Sequence, residues 1–411
     1  MIMNNLKKSG IINKNFIIFF MIIAQASFGS SVATVALAFL VLKITGSASA
    51  MALTLGLRIL PNIFMPFIAT FLDRGNIKIP FVLGFVIRGI LLVLLYVGVH
   101  VGAVGVHIVY LVALINGVLA TIVRPSCQIL IPSLLGGENL ERGNSVLNIA
   151  EQSMTLIGYM FGGIMVSAFG PIITLLIEGI CYLICGILML FMAIKASAEK
   201  TENSFLKDML IGLSIMRQFK VVAITITMCF FINVFFALVE VYLPLHMQFI
   251  AKGGVGYGVF MSLMMIGMLL SSTLIAFLGK HYKTSLGVVV GWLALGIAFF
   301  GLGRFNSFYQ CMIWAVIFGV GISFINLSIQ IILQKTIQYR YRGRVNGISV
   351  ALSSMGMPLA FILISYTMPF INFKELFVFG AFFAFVFSML WFLYIRKKPT
   401  IFFEQEFMPT F

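Results

Sequence analysis

Acidic side chains are scarce in this sequence: Asp and Glu together number 12 in 411 residues. Charged residues of both signs make up 9% of the chain, whereas they make up about a quarter of an ordinary soluble domain. So few charges cannot cover the surface of a globular protein. Together with a mean hydropathy of +1.11, this shortage excludes a soluble protein.

Polar interruptions are also sparse, and apolar runs of about 20 residues recur along the whole chain, each long enough to cross the hydrocarbon layer as a helix. The runs lack the period-two alternation of membrane strands. They predict an all-α polytopic membrane protein. The basic N-terminus leads into an apolar stretch that ends near Leu42 without a small-residue cleavage site, so we expect an uncleaved first span.

Recognisable catalytic patterns are missing as well. The five cysteines lie inside apolar runs without metal-ligand or disulfide spacing. The sequence has no Walker loop and no nucleophile–base constellation. These absences argue against an enzyme, a bound cofactor and direct use of ATP.

Breaks rich in Gly, Pro and charge divide the chain into twelve predicted spans. Their extents are 15–43, 48–72, 79–98, 104–133, 139–168, 171–194, 219–246, 255–278, 285–303, 308–334, 343–369 and 375–395.

Basic residues orient these spans. With the N-terminus inside, twenty of the 27 Lys and Arg fall in inner segments and four in outer segments. Both termini are therefore expected in the cytoplasm, in a cell (cytoplasmic or inner) membrane. The net charge of +15 follows from this bias, and its scatter over short loops argues against a nucleic-acid partner.

The longest break between spans separates two predicted six-helix bundles, 1–194 and 219–411, with a linker at 195–218. Apolar residues recur at helical spacing from Phe205 to Met216, which predicts an amphipathic helix on the inner membrane surface. A simple tether is the alternative.

The halves resemble each other. Placing Gln128 on Gln330 also places Arg142 on Arg344, at one constant offset of 202 residues. The loops after the second span of each half align at a similar offset. This predicts a parallel duplication of six helices, an arrangement of transporters that rock two halves around a central site.

The loop ATFLDRGNIK (69–78) resembles the major facilitator superfamily pattern G-x-x-x-D-[RK]-x-G-R-[RK], with Asp73, Arg74 and Lys78 matching. Both glycines and one basic position of the pattern are replaced. In this family the motif follows the second span, as it does here.

A second motif, GYMFGG, resembles the antiporter pattern G-P-x-x-G-G of span five. Gly158, Gly162 and Gly163 match, and Tyr159 replaces the proline. The stretches 42–74, 124–132 and 341–347 are similar to the macrolide and siderophore exporter branch. The resemblance implies twelve helices in two bundles and a monomer.

The resemblance also assigns roles to the charged residues. Asp73, with Arg74 and Lys78, would form a conformational latch that holds the cytoplasmic side closed by pairing with helix N-termini or a cation. The alternative is a solvated loop carboxylate that offsets Arg74.

Ionisable groups inside a membrane are costly and therefore candidate functional residues. In the resembled fold the first, second, fourth and fifth helices of each half line the cavity, and the third and sixth lie outside. This places four of the six such residues at the cavity and two, which we expect to pair with nearby polar groups, on peripheral helices. The cavity residues are Arg58, Arg124, Glu151 and Glu240; the peripheral ones are Arg88 and Glu178.

Arg124 and Glu151 lie at similar depth on adjacent antiparallel spans, each about 13 residues from the turn between them. A carboxyl beside a guanidinium could exchange its proton when access to the partner changes. We therefore predict that this pair couples protons to transport. A permanent salt bridge is the alternative.

Uncharged residues on cavity helices complete the predicted substrate site, although each polar one could equally hydrogen-bond between helices. A mostly apolar cavity with few polar residues suits a bulky amphiphilic substrate. These residues are Gln25, Phe28, Asn116, Asn233, Asn326 and Gln330.

The resulting prediction is a secondary transporter that exports an amphiphilic small molecule, such as a drug, macrolide or siderophore, with the proton gradient as energy source. The alternatives are uptake or lipid translocation on the same fold, and a membrane-embedded sensor or enzyme on a transporter-like scaffold.

Replacing Asp73 by Asn should cut transport while leaving expression and folding near those of the wild type, because the latch needs the negative charge. The measurement is substrate flux in proteoliposomes, normalised to monodisperse protein. If the flux of the variant equals that of the wild type, the hypothesis that Asp73 forms a latch is wrong.

Overall fold

The computed structural model describes residues 14–64, 78–135, 140–192, 220–250, 252–304, 307–337, 339–367 and 373–397. These residues form helices and short connections and contain no strand. Short 3-10 segments follow the second and eighth helices, at Leu60–Phe64 and Gly279–His281. The helices are α1 (Lys14–Thr45), α2 (Ala48–Ile59), α3 (Lys78–His100), α4 (Val106–Leu135), α5 (Leu140–Phe169), α6 (Pro171–Leu190), α7 (Lys220–Phe249), α8 (Gly253–Leu278), α9 (Thr284–Arg304), α10 (Phe308–Thr336), α11 (Tyr339–Ser354), α12 (Gly356–Thr367) and α13 (Phe373–Lys397).

Eleven helical segments within the described residues are long and apolar enough to cross a membrane. The second span is the shorter apolar helix Ala48–Phe64, which reaches the edge of the described residues. The eleventh runs from Ile348 to Thr367 through the junction of α11 and α12. The predicted all-α fold with twelve spans is confirmed.

Glycines with positive φ make the tight connections between consecutive helices. Gly46 (φ +62°) separates α1 from α2, and Ser47 caps α2 by accepting from the backbone N–H of Ala50. Gly170 (φ +82°) alone separates α5 from α6, and Pro171 follows at the first position of α6. Proline suits that position because its missing N–H would have no helical acceptor there.

The chain divides into two compact units. The first holds α1 to α6 together with Leu243–Gly258 and Phe361–Ser365, and the second holds the rest of the second half. The linker predicted at 195–218 lies outside the described residues, so the predicted domain boundaries stay a prediction.

The two halves repeat the same helix pairings. In the first, α3 packs on α4 and on α6; in the second, α9, the corresponding third span, packs on α10 and on α13. Third-with-fourth and third-with-sixth contacts in each half are what a duplication of six helices requires.

The third and sixth spans of each half expose aliphatic or aromatic stripes. Leu94 on α3 and Ile184 on α6 are more than half exposed, as is Phe382 on α13. Such stripes suit hydrocarbon tails, as expected for helices at the periphery of a bundle.

Aromatic side chains fill the core of the second unit. Trp292 and Phe299 on α9 are fully buried. The ring of Phe235 lies 5.1 Å from that of Phe299, and Phe387 lies 4.9 Å from Trp292. No charged side chain occurs on α9 before Arg304, so this helix packs mainly through its rings.

In the first unit, α3 and α6 approach closely through small residues. A Cβ added to Gly89 would lie 2.7 Å from the Gly179 carbonyl oxygen and 2.6 Å from Leu183 Cγ; one added to Gly179 would lie 3.1 Å from the Gly89 carbonyl oxygen. Backbones approach this closely in membranes only where side chains are small.

We expect Gly89→Ala to destabilise the first unit by about 1–3 kcal/mol, because the added methyl group collides with the α6 backbone. The matched control is Gly84→Ala on the same helix, where the new Cβ would lie 3.7 Å from the Leu119 carbonyl oxygen. Thermal unfolding in detergent measures both. Equal melting temperatures of the two variants would contradict the close crossing.

Candidate functional site

A buried arginine joins three helices of the first unit. Arg88 on α3 is 2% exposed. Its Nε donates to Asn116 Oδ1 on α4 at 3.1 Å, and its Nη2 donates to the Tyr182 hydroxyl on α6 at 2.7 Å. The guanidinium carbon also lies 4.0 Å from the centre of the Tyr182 ring. Hydrogen bonds from a charged donor stabilise by about 1.5–3 kcal/mol.

One turn before Tyr182, α6 places a buried carboxyl against α1. Glu178 is 2% exposed, and its Oε2 accepts from Gln25 Nε2 at 3.3 Å. Its Oε1 accepts no hydrogen bond from the residues that the structure describes. A Cβ on Gly29 would collide with this carboxyl, so only glycine leaves space for it there.

A second arginine, Arg58 on α2, holds the following turns of α1. Its Nη1 donates to Thr34 Oγ1 at 2.6 Å, and its Nη2 donates to the carbonyl and hydroxyl oxygens of Ser30, both at 2.9 Å. The Arg58 carbonyl group meets Gly117 on α4 so closely that a Cβ there would collide.

We call these residues the buried polar network. Hydrogen bonds join α1 to α6, α6 to α3, α3 to α4 and α2 to α1, and the close contact of the Arg58 carbonyl with Gly117 brings α2 against α4. The network contains two guanidinium groups and one carboxyl group, and Glu178 lies within electrostatic reach of both arginines. Charges in a low-dielectric bundle interact strongly, so a change in the charge of one member would affect the others. Its members are Gln25, Ser30, Thr34, Arg58, Arg88, Asn116, Glu178 and Tyr182.

Arg88 and Glu178 were expected to pair with polar neighbours, and this is confirmed. Their place at the centre of a network was not predicted. The signal was present in two short complementary stretches, IRGI (87–90) and IEGI (177–180). In each, the isoleucines lie on the exposed side, the charge points inward, and the glycine forms the α3–α6 crossing.

The predicted proton-coupling pair remains a prediction. Glu151 is half-buried on α5, whereas the side chain of Arg124 lies outside the described residues. Glu240 on α7 is 2% exposed.

Of the predicted latch, Asp73 and Arg74 lie outside the described residues. Lys78 begins α3, and its Nζ donates to the carbonyl oxygens of Leu190 at 2.8 Å and Met192 at 2.7 Å. It therefore caps the C-terminal end of α6, where a cation complements the helix dipole.

The predicted substrate residues separate into two groups. Gln25 and Asn116 belong to the buried polar network, so they make the contacts between helices that the sequence left open as an alternative. Arg58, a predicted cavity residue, belongs to it as well. The other uncharged residues of the predicted site make no hydrogen bond to it within the described part of the chain. The Phe28 ring lies 6.3 Å from that of Phe161, Asn233 donates to the Cys229 carbonyl of its own helix at 2.9 Å, and Asn326 and Gln330 are exposed on α10.

The glycine motif of α5 lies where this helix meets α1. A Cβ on Gly158 would lie 2.5 Å from the Phe28 carbonyl oxygen, and one on Gly162 would lie 3.0 Å from Val32 Cα. Gly163 meets the backbone of Gly254 in the same unit. All three glycines thus occupy close helix contacts.

The family model described as Major Facilitator Superfamily matches residues 18–257 and 253–406. A curated relative, the uncharacterised MFS-type transporter YvqJ of Bacillus subtilis (strain 168), is 22% identical over 254 residues. That alignment covers 59% of this chain and 59% of the relative, so the chain matches less than two thirds of the relative's length.

Solved structures share the fold at low identity. The nucleoside transporter NupG matches with a TM-score of 0.76 at 13% identity, over 96% of this chain and 100% of that chain. A bacterial homolog of the human lysosomal transporter Spinster, inward-facing and unoccupied, matches with a TM-score of 0.71 at 11% identity, over 96% of this chain and 98% of that chain.

We expect Asn116→Leu to lower the free energy of unfolding by about 1–3 kcal/mol, because it leaves the buried Arg88 short of an acceptor. Asn233→Leu is the matched control, since its amide bonds only within its own helix. Unfolding in detergent, followed by tryptophan fluorescence, compares the two. If Asn233→Leu lowers the free energy of unfolding as much as Asn116→Leu does, the role of Asn116 as an acceptor for Arg88 is contradicted.

Proposed function

Because the chain belongs to the major facilitator superfamily, we propose that it is a secondary active transporter that exports hydrophobic or amphiphilic small molecules in exchange for protons. The two six-helix halves would provide alternating access, as in other transporters built from parallel repeats. The enzyme and sensor alternatives lose support, since the family consists of transporters.

The observation that carries this proposal is the buried polar network. Two arginines and a glutamate inside an apolar bundle are costly to keep, whereas in the second half the described contacts of α9 with α10 and α13 are made by rings and by hydrogen bonds to backbone carbonyls. There, Ser388 and Trp391 of α13 simply donate to carbonyl oxygens of α9. Charges that packing does not require point to a coupling role.

Composition supports the substrate class. The residues predicted to contact substrate are neutral apart from Arg58 and Glu240, and the 42 Phe and 24 Met supply adaptable apolar surface. Similarity of 42–74, 124–132 and 341–347 to the macrolide and siderophore exporter branch favours molecules of that kind. The distribution of Lys and Arg favours a cell membrane with both termini in the cytoplasm, and we propose a monomer.

Transport is tested by measuring ethidium and labelled erythromycin in cells with and without the protein. We expect cells with the protein to retain several-fold less of at least one compound, because export opposes passive entry. A protonophore should abolish the difference, because it removes the proton gradient that drives export.

Labelled uridine provides a comparison, because one structural neighbour is a nucleoside transporter. Greater accumulation of any of the compounds in cells with the protein would reverse the proposed direction. A difference that persists with the protonophore would exclude proton coupling.

A further inference from the structure

The carboxyl group of Glu178 lies flat against one turn of α1. Its Oε2 accepts from Gln25, and the carboxyl fills the space left by Gly29, four residues along the same helix. Both contacts are made to α1, although the side chain belongs to α6. The position of α1 relative to α6 therefore decides whether this carboxyl is covered.

Hydrogen-bond donors are scarce around this group. Gln25 supplies one bond, long at 3.3 Å, and the Tyr182 hydroxyl is a second donor near the carboxyl. Oε1 itself accepts no well-formed hydrogen bond from the described part of the chain. Arg88 donates its hydrogen bonds to Asn116 and Tyr182 instead. A buried carboxylate is stable when several donors solvate it. A proton on Oε1 would remove the charge and turn the unsatisfied acceptor into a donor.

Charged and titratable groups approach Glu178 from several neighbouring helices. Arg88 approaches from α3 and Arg58 from α2, whereas α1 contributes the neutral amide of Gln25. The helix α5, which also packs on α6, carries the half-buried Glu151 and Tyr159. Its own helix contributes Tyr182, Cys181 and Cys185.

We propose that Glu178 is the proton-binding site of the transport cycle and that α1 is the helix whose position it controls. This proposal rests on the proposed proton-coupled transport. A proton from water on one side of the membrane forms an O–H bond at Oε1 and neutralises the carboxylate. The same bond breaks when the proton leaves to water on the other side.

The neighbouring contacts explain how the proton affects transport. Glu178 holds α1 at Gln25, and Arg58 holds the same helix at Ser30 and Thr34, about 13 Å further along at most. Loss of the carboxylate charge weakens its bond to Gln25 and removes the negative field that Arg58 experiences. Both attachments of α1 therefore change in response to one proton.

Infrared difference spectroscopy of the purified full chain in detergent tests the site without any substrate. We expect the wild type, titrated from about pH 4 to about pH 10 to bracket ordinary and displaced carboxyl groups, to show a protonated-carboxyl band from a buried group. Glu178→Gln should lose this band. The matched variants Glu151→Gln and Glu240→Gln should retain it.

Gln25→Leu gives a second readout that a purely structural glutamate would not show. It removes the amide donor, so the carboxyl band should move to higher frequency while Glu178 remains in place. Each variant is first shown to be monodisperse by size-exclusion chromatography.

A band that persists in Glu178→Gln, a band lost in Glu151→Gln or Glu240→Gln, or no titrating band in the wild type would each overturn the assignment. If a protonophore does not reduce transport, the proposed proton coupling is wrong, but the infrared assignment of Glu178 is unaffected. The two failures are therefore distinguishable.

Discussion

The close approach of α3 and α6 at Gly89 and Gly179 is the contact on which the first unit depends. Because these residues lack side chains, the helices lie near enough for Arg88 to reach Tyr182. Wider spacing would leave a guanidinium and a carboxyl in an apolar bundle with fewer partners, at a cost of several kcal/mol. The glycines therefore allow the close approach of α3 and α6, and this approach brings the charged side chains within reach of their partners.

The two halves solve the same packing problem with different chemistry. Both pair the third span with the fourth and the sixth. The first half connects these helices through charges, whereas the second uses fully buried rings such as Trp292 and Phe299 and hydrogen bonds to backbone carbonyls. Packed phenylalanine and tryptophan rings do not change charge, whereas a network that contains a carboxyl group can be protonated or deprotonated. We therefore assign the proposed response to protons to the network of the first half, although the second half also buries the carboxyl of Glu240.

Much of the fold could be predicted because its causes are local. Span length and apolar composition predict the helices, and Gly170 followed by Pro171 predicts the tight connection between α5 and α6. The site was less predictable. Asn116 lies on a predicted cavity helix, which left open whether it contacts substrate or a neighbouring helix, and the structure shows that it accepts from Arg88 inside the bundle. Helix number alone does not specify which face of a helix a side chain occupies.

The sequence by itself determined that this chain crosses a membrane many times and repeats one six-helix plan, because hydrophobic length and a constant offset are properties of the linear chain. The tertiary structure alone decided that Glu178 lies against Gly29, 149 residues earlier in the chain. That contact depends on how α1 rotates about its axis and on how closely it approaches α6. Both follow from packing among several helices, which no single segment of sequence specifies.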